Sequence, residues 1–181
     1  MKMLSRQDWV DAARRMLIAK GVERVKVDAL AKSLKITRGS FYWHFDGRQA
    51  LLDAVLEDWR IRNTAPFLAV AADRRRSARE RFHALVNIWL EEKDYSPAYD
   101  AAIREWARTS TGVARLVRRV DRQRIDLLAT VYRDQGYEAL EAEIRARITY
   151  FHQVGYYVLG LKESGQTRRR LAPIYSRVLL G

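Results

Sequence analysis

Long uninterrupted segments with apolar residues at the helical period constrain the fold of this chain most strongly. Only three prolines, Pro66, Pro97 and Pro173, and nine glycines occur among 181 residues. Between these positions apolar residues recur every three or four residues, which is the spacing of one face of an α-helix. The sequence therefore predicts an all-α fold of about nine helices, and it shows no internal repeat.

Capping residues and turn residues set the predicted helix limits. Ser5 is a suitable N-cap, Asp8 follows it by three residues, and Gly21 can end the first helix. Two short helices then flank a tight turn at Lys35 and Ile36. The predicted helices span residues 6–20, 28–34, 37–44, 48–62, 78–92, 98–108, 113–134, 137–162 and 167–180.

The charge balance favours a polyanionic partner. The chain has 34 Lys and Arg against 22 Asp and Glu, a formal charge of +12. Residues 1–50 carry 11 of the basic and only 5 of the acidic residues, so this part is the more basic per residue. Such a charge raises the local concentration of DNA, RNA or acidic membranes without giving specificity.

Cysteine content and hydropathy restrict the class of protein. The chain has no cysteine, which excludes disulfides, thiolate metal ligands and a cysteine nucleophile. No apolar signal segment follows the start, and no stretch approaches the length of a membrane span. We therefore expect a cytoplasmic protein that is not inserted in a membrane.

The segment around Lys35 has the layout of a helix-turn-helix. Its apolar residues can fix two helices at a set angle, and Ala31 is small where one helix passes close to another. The start of the second helix, residues 37–40, is short, polar and charged, as suits insertion into the DNA major groove. Thr37 is predicted to cap this helix with its hydroxyl. The apolar residues are Leu30, Leu34, Ile36, Phe41 and Phe45.

At this point the chain resembles the TetR family of transcriptional repressors, over roughly residues 5–60. The similarity rests on Leu30-Ala31, on the turn ending in Ile36, on Thr37 with Gly39-Ser40, on Tyr42-x-His44-Phe45, and on Arg48 followed by Leu51; Ala12-Ala13, Leu17 and Gly21 of helix 1 fit as well. The resemblance implies a DNA-binding domain in residues 1–60 and a helical ligand-sensing and dimerisation domain in residues 61–181. It implies DNA contacts by Lys26, Thr37, Arg38, Gly39, Ser40, Tyr42, Trp43, His44 and Arg48.

Three departures from the family pattern lead to structural expectations. Leu34-Lys35 stands where small residues, Ala-Gly, are usual, so Lys35 must adopt a less favoured turn conformation or the turn must differ. Lys26 replaces the usual hydroxyl cap of the second helix, which weakens capping. Pro66 lies where one long helix is usual, so we expect a kink or break between about residues 63 and 67.

The second half of the chain carries no motif, so its role is inferred from residue types. Aromatic and polar residues could line a cavity for a small apolar or amphipathic effector, although each residue type fits a core position better than a pocket. These residues are Trp59, Trp89, Tyr99, Trp106, Tyr132, Phe151 and His152. The last two helices are apolar on more than one face, which indicates a homodimer interface, and the family resemblance implies a four-helix interface there. Its predicted residues are Ile148, Phe151, Gly155, Val158, Leu171, Ile174, Tyr175 and Val178.

Enzyme and non-specific alternatives remain as rival interpretations. The histidines His44, His83 and His152 are far apart in sequence, so we predict no metal site, no cofactor and no catalytic residues. Gly155 and Gly160 have the first spacing of a phosphate loop but lack its Gly-Lys-Ser/Thr ending. The preferred prediction is a ligand-released repressor that binds a palindromic operator as a homodimer. The alternatives are a constitutive nucleoid-type DNA-binding protein and a small helical enzyme.

Overall fold

The computed structural model describes residues 4–161 and 163–181, and within them all regular structure is helical. A 3-10 turn, Val22–Arg24, separates the first two helices. The α-helices are α1 (Arg6–Lys20), α2 (Val27–Leu34), α3 (Gly39–Tyr42), α4 (Arg48–Ala72), α5 (Ala78–Glu91), α6 (Pro97–Ala107), α7 (Thr111–Arg133), α8 (Ala139–Val158) and α9 (Gly165–Leu180). The all-α prediction is confirmed.

Helix limits agree best with the sequence where capping residues set them. The Ser5 side chain accepts from the Asp8 amide, and the Asp8 carboxylate accepts from the Ser5 amide, which closes a capping box at the start of α1. The same arrangement joins Ser77 and Glu80 at the start of α5. The helix predicted to reach Lys162 ends at Val158, and Lys162 itself lies outside the described residues.

Of the kink or break expected at Pro66, the break is wrong, because α4 continues from Arg48 to Ala72 with the proline inside it. A kink within the helix stays a prediction. Side chains support the turn that precedes the proline. Arg124 donates to the Asn63 carbonyl at 3.0 Å, and the Asn63 side-chain amide exchanges two hydrogen bonds with the Ser96 backbone, at 2.9 and 3.1 Å. These contacts fix Asn63, next to the carbonyl of residue 62, to which Pro66 cannot donate a helical hydrogen bond.

The described residues group into two compact units. The first comprises the chain up to Ile61 together with Ala98–Arg115, and the second comprises Arg62–Pro97 with the chain from Leu116 onward. The core of the first unit includes the fully buried Trp9, Phe41 and Trp59. The core of the second unit is built mainly from Phe67, Phe82, Leu85, Trp89, Tyr95, Leu128, Val131, Tyr132 and Tyr150.

Candidate nucleic-acid interface

The α2–turn–α3 segment is fixed by apolar contacts in the first unit. Leu30 and Phe41 are fully buried, and Phe45 is nearly so. The Phe41 ring stacks on Phe45 with a centroid distance of 5.4 Å, and its edge meets Trp9 of α1 at 5.2 Å. Leu34 and Ile36 are half-buried. The predicted apolar residues therefore hold the short α3 against α1 and α2.

The turn between α2 and α3 confirms the expectation for Lys35. This residue has φ 57° and ψ 43°, in the left-handed region, and it ends α2. Its amide donates towards the carbonyls of Ala31 and Lys32, and the Ile36 amide donates to the Ala31 carbonyl at 3.1 Å. The backbone thus makes the turn with a lysine in a conformation that glycine adopts more readily.

The prediction that Thr37 caps the second helix with its hydroxyl is wrong. The helix begins two residues later, at Gly39, and its N-cap is Arg38, without a side-chain cap bond. Backbone hydrogen bonds form this end instead, from the Ser40 amide to the Thr37 carbonyl at 3.2 Å and from Phe41 to Arg38 at 3.1 Å. Both bonds span three residues, a tighter turn than the α-helical one. The Thr37 and Gly39 positions are exposed, and Ser40 is half-buried.

Arg38 lies at the start of α3 with its guanidinium directed by two neighbours. It donates to the Tyr42 hydroxyl at 3.0 Å, and its Nε lies 3.5 Å from a carboxylate oxygen of Asp28 in α2. The hydrogen bond to Tyr42 and the charge of Asp28 raise the pKa of the Arg38 guanidinium. Both side chains of the ion pair remain largely exposed, so a base edge or phosphate could replace either contact.

Two aromatic side chains at the end of α3 are exposed. Trp43 exposes 87% of its surface and Tyr42 51%, whereas the other four tryptophans are buried. His44 is half-buried beside them. An exposed tryptophan next to a polar helix start is unusual for a side chain that serves only packing.

The two remaining predicted DNA contacts have different surroundings. Lys26 is exposed and is the N-cap of α2 without a side-chain cap bond, as its sequence predicts. Arg48, at the start of α4, is half-buried and donates to the carbonyls of Val25 at 2.6 Å and Val22 at 2.8 Å. Arg48 therefore fixes the 3-10 turn that leads into α2. Sequence reasoning missed this role because a carbonyl acceptor is present at every residue and leaves no signal.

Three of the aromatic residues predicted to contact a ligand lie in the first unit. Trp59 and Tyr99 are fully buried, and their polar atoms donate to Asp100 at 3.1 Å and to the Val55 carbonyl at 2.6 Å. These two side chains serve as core residues of the unit. Trp106 differs from them because it lines two cavities.

The other four predicted ligand contacts lie in the second unit, two in its core and two on its surface. Trp89 and Tyr132 belong to its core, and burial raises the pKa of Tyr132 to about 12. Phe151 and His152 are exposed on α8, where the His152 ring lies 4.7 Å from that of Tyr175 in α9.

The predicted dimer residues form exposed apolar surface on the last two helices. Six of the eight are exposed, namely Ile148, Phe151, Val158, Ile174, Tyr175 and Val178. Gly155 and Leu171 are half-buried between them in sequence. Leu140, Ile144 and Leu159 add further exposed apolar side chains on or next to α8. No helix in the described part of the chain is long and apolar enough to cross a membrane.

Comparisons with known proteins agree with this geometry. The sequence model described as "Bacterial regulatory proteins, tetR family" matches residues 10–55, which include α2, the turn and α3. The HTH-type transcriptional regulator SrpR of Pseudomonas putida is 42% identical over 52 residues, which are 29% of this chain and 24% of SrpR. The chain thus aligns with only about a quarter of the length of that relative.

Two solved structures share the fold over most of the chain. A TetR/AcrR family regulator of Thermobifida fusca has a TM-score of 0.68 at 17% identity, covering 97% of this chain and 96% of that one. SmeT, solved in complex with triclosan, has a TM-score of 0.66 at 18% identity, covering 84% of this chain and 78% of that one. At such identities the likeness establishes the fold alone.

Proposed function

We propose that this chain is a DNA-binding transcriptional repressor of the TetR family of bacterial regulatory proteins, whose sequence model matches residues 10–55. It binds a palindromic operator as a homodimer, and a small apolar or amphipathic effector releases it. The functional division of the chain falls near residue 60, with DNA binding before it and effector sensing and dimerisation after it.

The arrangement of Arg38 is the observation that carries the proposal for DNA binding. Its guanidinium stands exposed at the start of α3, directed by Tyr42 and Asp28, on a helix pair whose angle is fixed by buried aromatic rings. A guanidinium in this position can donate two hydrogen bonds to guanine O6 and N7. Lys26 and the exposed Trp43 lie in the same segment and supply phosphate and apolar contacts. Arg48 contributes by holding the entry to α2 as well as by its charge.

Exposed apolar residues of α8 and α9 support the homodimer. Large contiguous apolar patches on a monomer mark interaction sites, and a closed twofold dimer is the commonest way to cover one. A dimer also brings two copies of α3 to two half-sites, which a palindrome supplies at a spacing of about 34–36 Å.

The effector part of the proposal rests on linkage. SmeT, of the same fold, was solved with triclosan, so an apolar ligand is compatible with this architecture. An effector weakens DNA binding only as far as it prefers the state that cannot bind DNA. A release of about 10- to 100-fold corresponds to about 1.4–2.8 kcal/mol of coupling.

Selection from a random DNA library tests the proposal. We expect enrichment of a palindrome, measured at several salt concentrations. Arg38→Ala should reduce the discrimination between bases at one position in each half-site. Lys26→Ala should instead lower the affinity for all DNA sequences alike and reduce the salt dependence of binding by about one released ion. Uniform affinity for all sequences would contradict the proposal and favour a nucleoid-type binder.

Trp43 supplies an independent readout of the binding surface. The other four tryptophans are buried, so acrylamide should quench mainly Trp43 in the free protein. Operator DNA should protect this fluorescence, and a duplex of random sequence should protect it less. Unchanged quenching on a bound operator would place α3 away from the DNA.

A further inference from the structure

Two cavities of the first unit share three residues of their walls. One, of about 590 Å³, lies between the end of α1, the 3-10 turn and α6. The other, of about 380 Å³, lies between the 3-10 turn, α4 and the start of α7. Val22, Glu23 and Trp106 line both. Both volumes fall in the range of small-molecule sites.

The wall of the larger cavity is mostly apolar, whereas polar and apolar surface contribute equally to the wall of the smaller one. Leu17, Ile18 and Ala101 line the larger one, and Leu52 and Leu56 line the smaller. The indole of Trp106 borders both, and it is the one predicted ligand contact that lines either of them. An aromatic wall beside aliphatic side chains suits a flat apolar ligand.

The charged groups at these walls favour a cation over an anion. Their carboxylates belong to Glu23, Glu105 and Asp53, and their cations to Lys20 and Arg48. The Arg48 guanidinium already donates to two backbone carbonyls.

Glu23 is the carboxylate best placed to receive a ligand. Asp53 accepts a hydrogen bond from Gln49 at 2.8 Å, and Glu105 lies 3.8 Å from Arg108. The Glu23 side chain has no hydrogen-bond or ion-pair partner among residues 4–161 and 163–181, and it lies at the wall that the cavities share. The side chain is exposed, so a protonated amine in the cavity can replace the water at this carboxylate.

We propose that these cavities bind a small amphipathic cation, with its apolar ring against Trp106 and Ile18 and its protonated amine at Glu23. The site goes beyond the effector predicted from the aromatic residues of the later helices, because α1 and the 3-10 turn form it. A ligand here contacts Val22, whose carbonyl Arg48 holds, and so touches the segment that leads into α2.

Titration of the ¹⁵N-labelled full chain with two matched probes tests the site without DNA. The probes are 2-naphthylmethylamine and 2-naphthylacetate, which share a ring system and differ in charge. We expect saturable shifts of the Ile18 and Val22 amides and the Trp106 indole N–H with the amine, and binding of the acetate about tenfold weaker. The chain carries +12, so non-specific attraction favours the acetate and cannot produce this preference.

Two variants separate the charge contact from the apolar one. Glu23→Gln should lower the affinity for the amine by about three- to tenfold and leave the affinity for the neutral probe 2-naphthylmethanol unchanged. Ala101→Leu should fill the larger cavity and lower the affinity for all three probes. Ala19→Leu is its matched control, since Ala19 is exposed on α1 and lines neither cavity.

The outcomes decide the proposal whether or not the protein binds DNA. Equal or tighter binding of the acetate, or shifts confined to other residues, would overturn it. Unchanged amine binding by Glu23→Gln would overturn the role of that carboxylate. A thermal unfolding curve checks that Ala101→Leu is folded. If that variant does not fold, Glu23→Gln still tests the proposal, because it changes an exposed side chain.

Discussion

Lys35 has a left-handed backbone conformation, which a residue with a Cβ atom rarely adopts. Left-handed geometry costs a residue with a Cβ about 1–2 kcal/mol, and glycine avoids this cost but loses more entropy on folding. We therefore expect Lys35→Gly to raise the free energy of unfolding by about 0.5–1 kcal/mol in urea denaturation. Lys32→Gly, inside α2, should lower it by about 0.5–1 kcal/mol. A neutral or destabilising Lys35→Gly would show that this turn is not strained.

Asp28 is a carboxylate on the proposed DNA-binding surface, 3.5 Å from the Arg38 guanidinium. Removing its charge should strengthen binding to any duplex, because one repulsion from phosphates disappears and Arg38 is less neutralised. We expect Asp28→Asn to raise the affinity for random DNA by about two- to fivefold and the affinity for operator by less, because Arg38 loses a restraint on its direction. Fluorescence anisotropy at two salt concentrations measures both.

A matched variant distinguishes this local effect from net charge. Glu57→Gln removes one carboxylate from α4 of the same unit, where Glu57 pairs with Arg60. It should leave the ratio of operator to random affinity unchanged. An equal effect of both variants on that ratio would contradict a specific influence of Asp28 on Arg38.

Single residues also show where sequence reasoning stops. The conformation of Lys35 follows from the absence of glycine at a tight turn, so the sequence predicts it. The contact of Arg48 with the Val22 and Val25 carbonyls and the missing cap bond of Thr37 depend on the path of the backbone. A side chain can bond to any carbonyl or amide that the fold brings near, and no residue type marks that choice.

At the scale of elements, Asp134 at the end of α7 links three parts of the second unit. It accepts from Arg74, before α5, at 2.6 Å and lies 2.8 Å from the buried Arg81 of α5, which also donates to the Ala71 carbonyl of α4. Partial burial would raise the pKa of Asp134, but the hydrogen bonds from Arg81 and Arg74 outweigh it and lower the pKa. The carboxylate thus stabilises the contact between these elements.

The lowered pKa gives this link a defined pH dependence. A carboxyl whose pKa is lower in the folded state contributes its full stability above its ordinary pKa of 3.8 and loses it as the pH falls through the lowered value. We expect Asp134→Asn to cost about 1–2 kcal/mol at pH 7, and the difference from wild type should narrow below pH about 4. Urea unfolding at pH 7, 4 and 3 measures this.

Asp126→Asn is the control on α7, the helix that Asp134 directly follows, since the exposed Asp126 carboxylate has no ion pair among the described residues. Its unfolding free energy should stay within about 0.5 kcal/mol of wild type at each pH. If the difference in unfolding free energy between Asp134→Asn and wild type does not become smaller at low pH, the stabilisation by the Asp134 charge is contradicted.

Elements were predictable where local signals act alone. Both limits of α1 follow from Ser5, Asp8 and Gly21, because a cap is set by residues within one turn. The continuation of α4 through Pro66 was not predictable, because Arg124 and Ser96 support that turn from far along the chain. Tertiary contacts override local propensity at such positions.

At the scale of the whole molecule, the exposed apolar surface of α8 and α9 is where we propose that a second copy of the chain binds. Val158 exposes 74% of its surface and Val178 71%. Sedimentation should give about twice 21.1 kDa at micromolar concentration. A glutamate at Val158 or Ile174 would be desolvated without a partner, so either variant should sediment as a monomer.

Loss of the dimer should also reduce the affinity for DNA, because the two half-sites are then bound by two separate protein chains. Joining two binding modules raises the overall affinity by about 10²–10⁴-fold. The affinity of Val158→Glu for a palindrome should therefore fall at least about 100-fold, while its affinity for a single half-site stays the same. Ile61→Glu is the control, since Ile61 is similarly exposed on α4, outside α8 and α9. Circular dichroism checks that each variant is folded. A wild-type monomer, or a monomeric variant with full palindrome affinity, would overturn the proposed dimer.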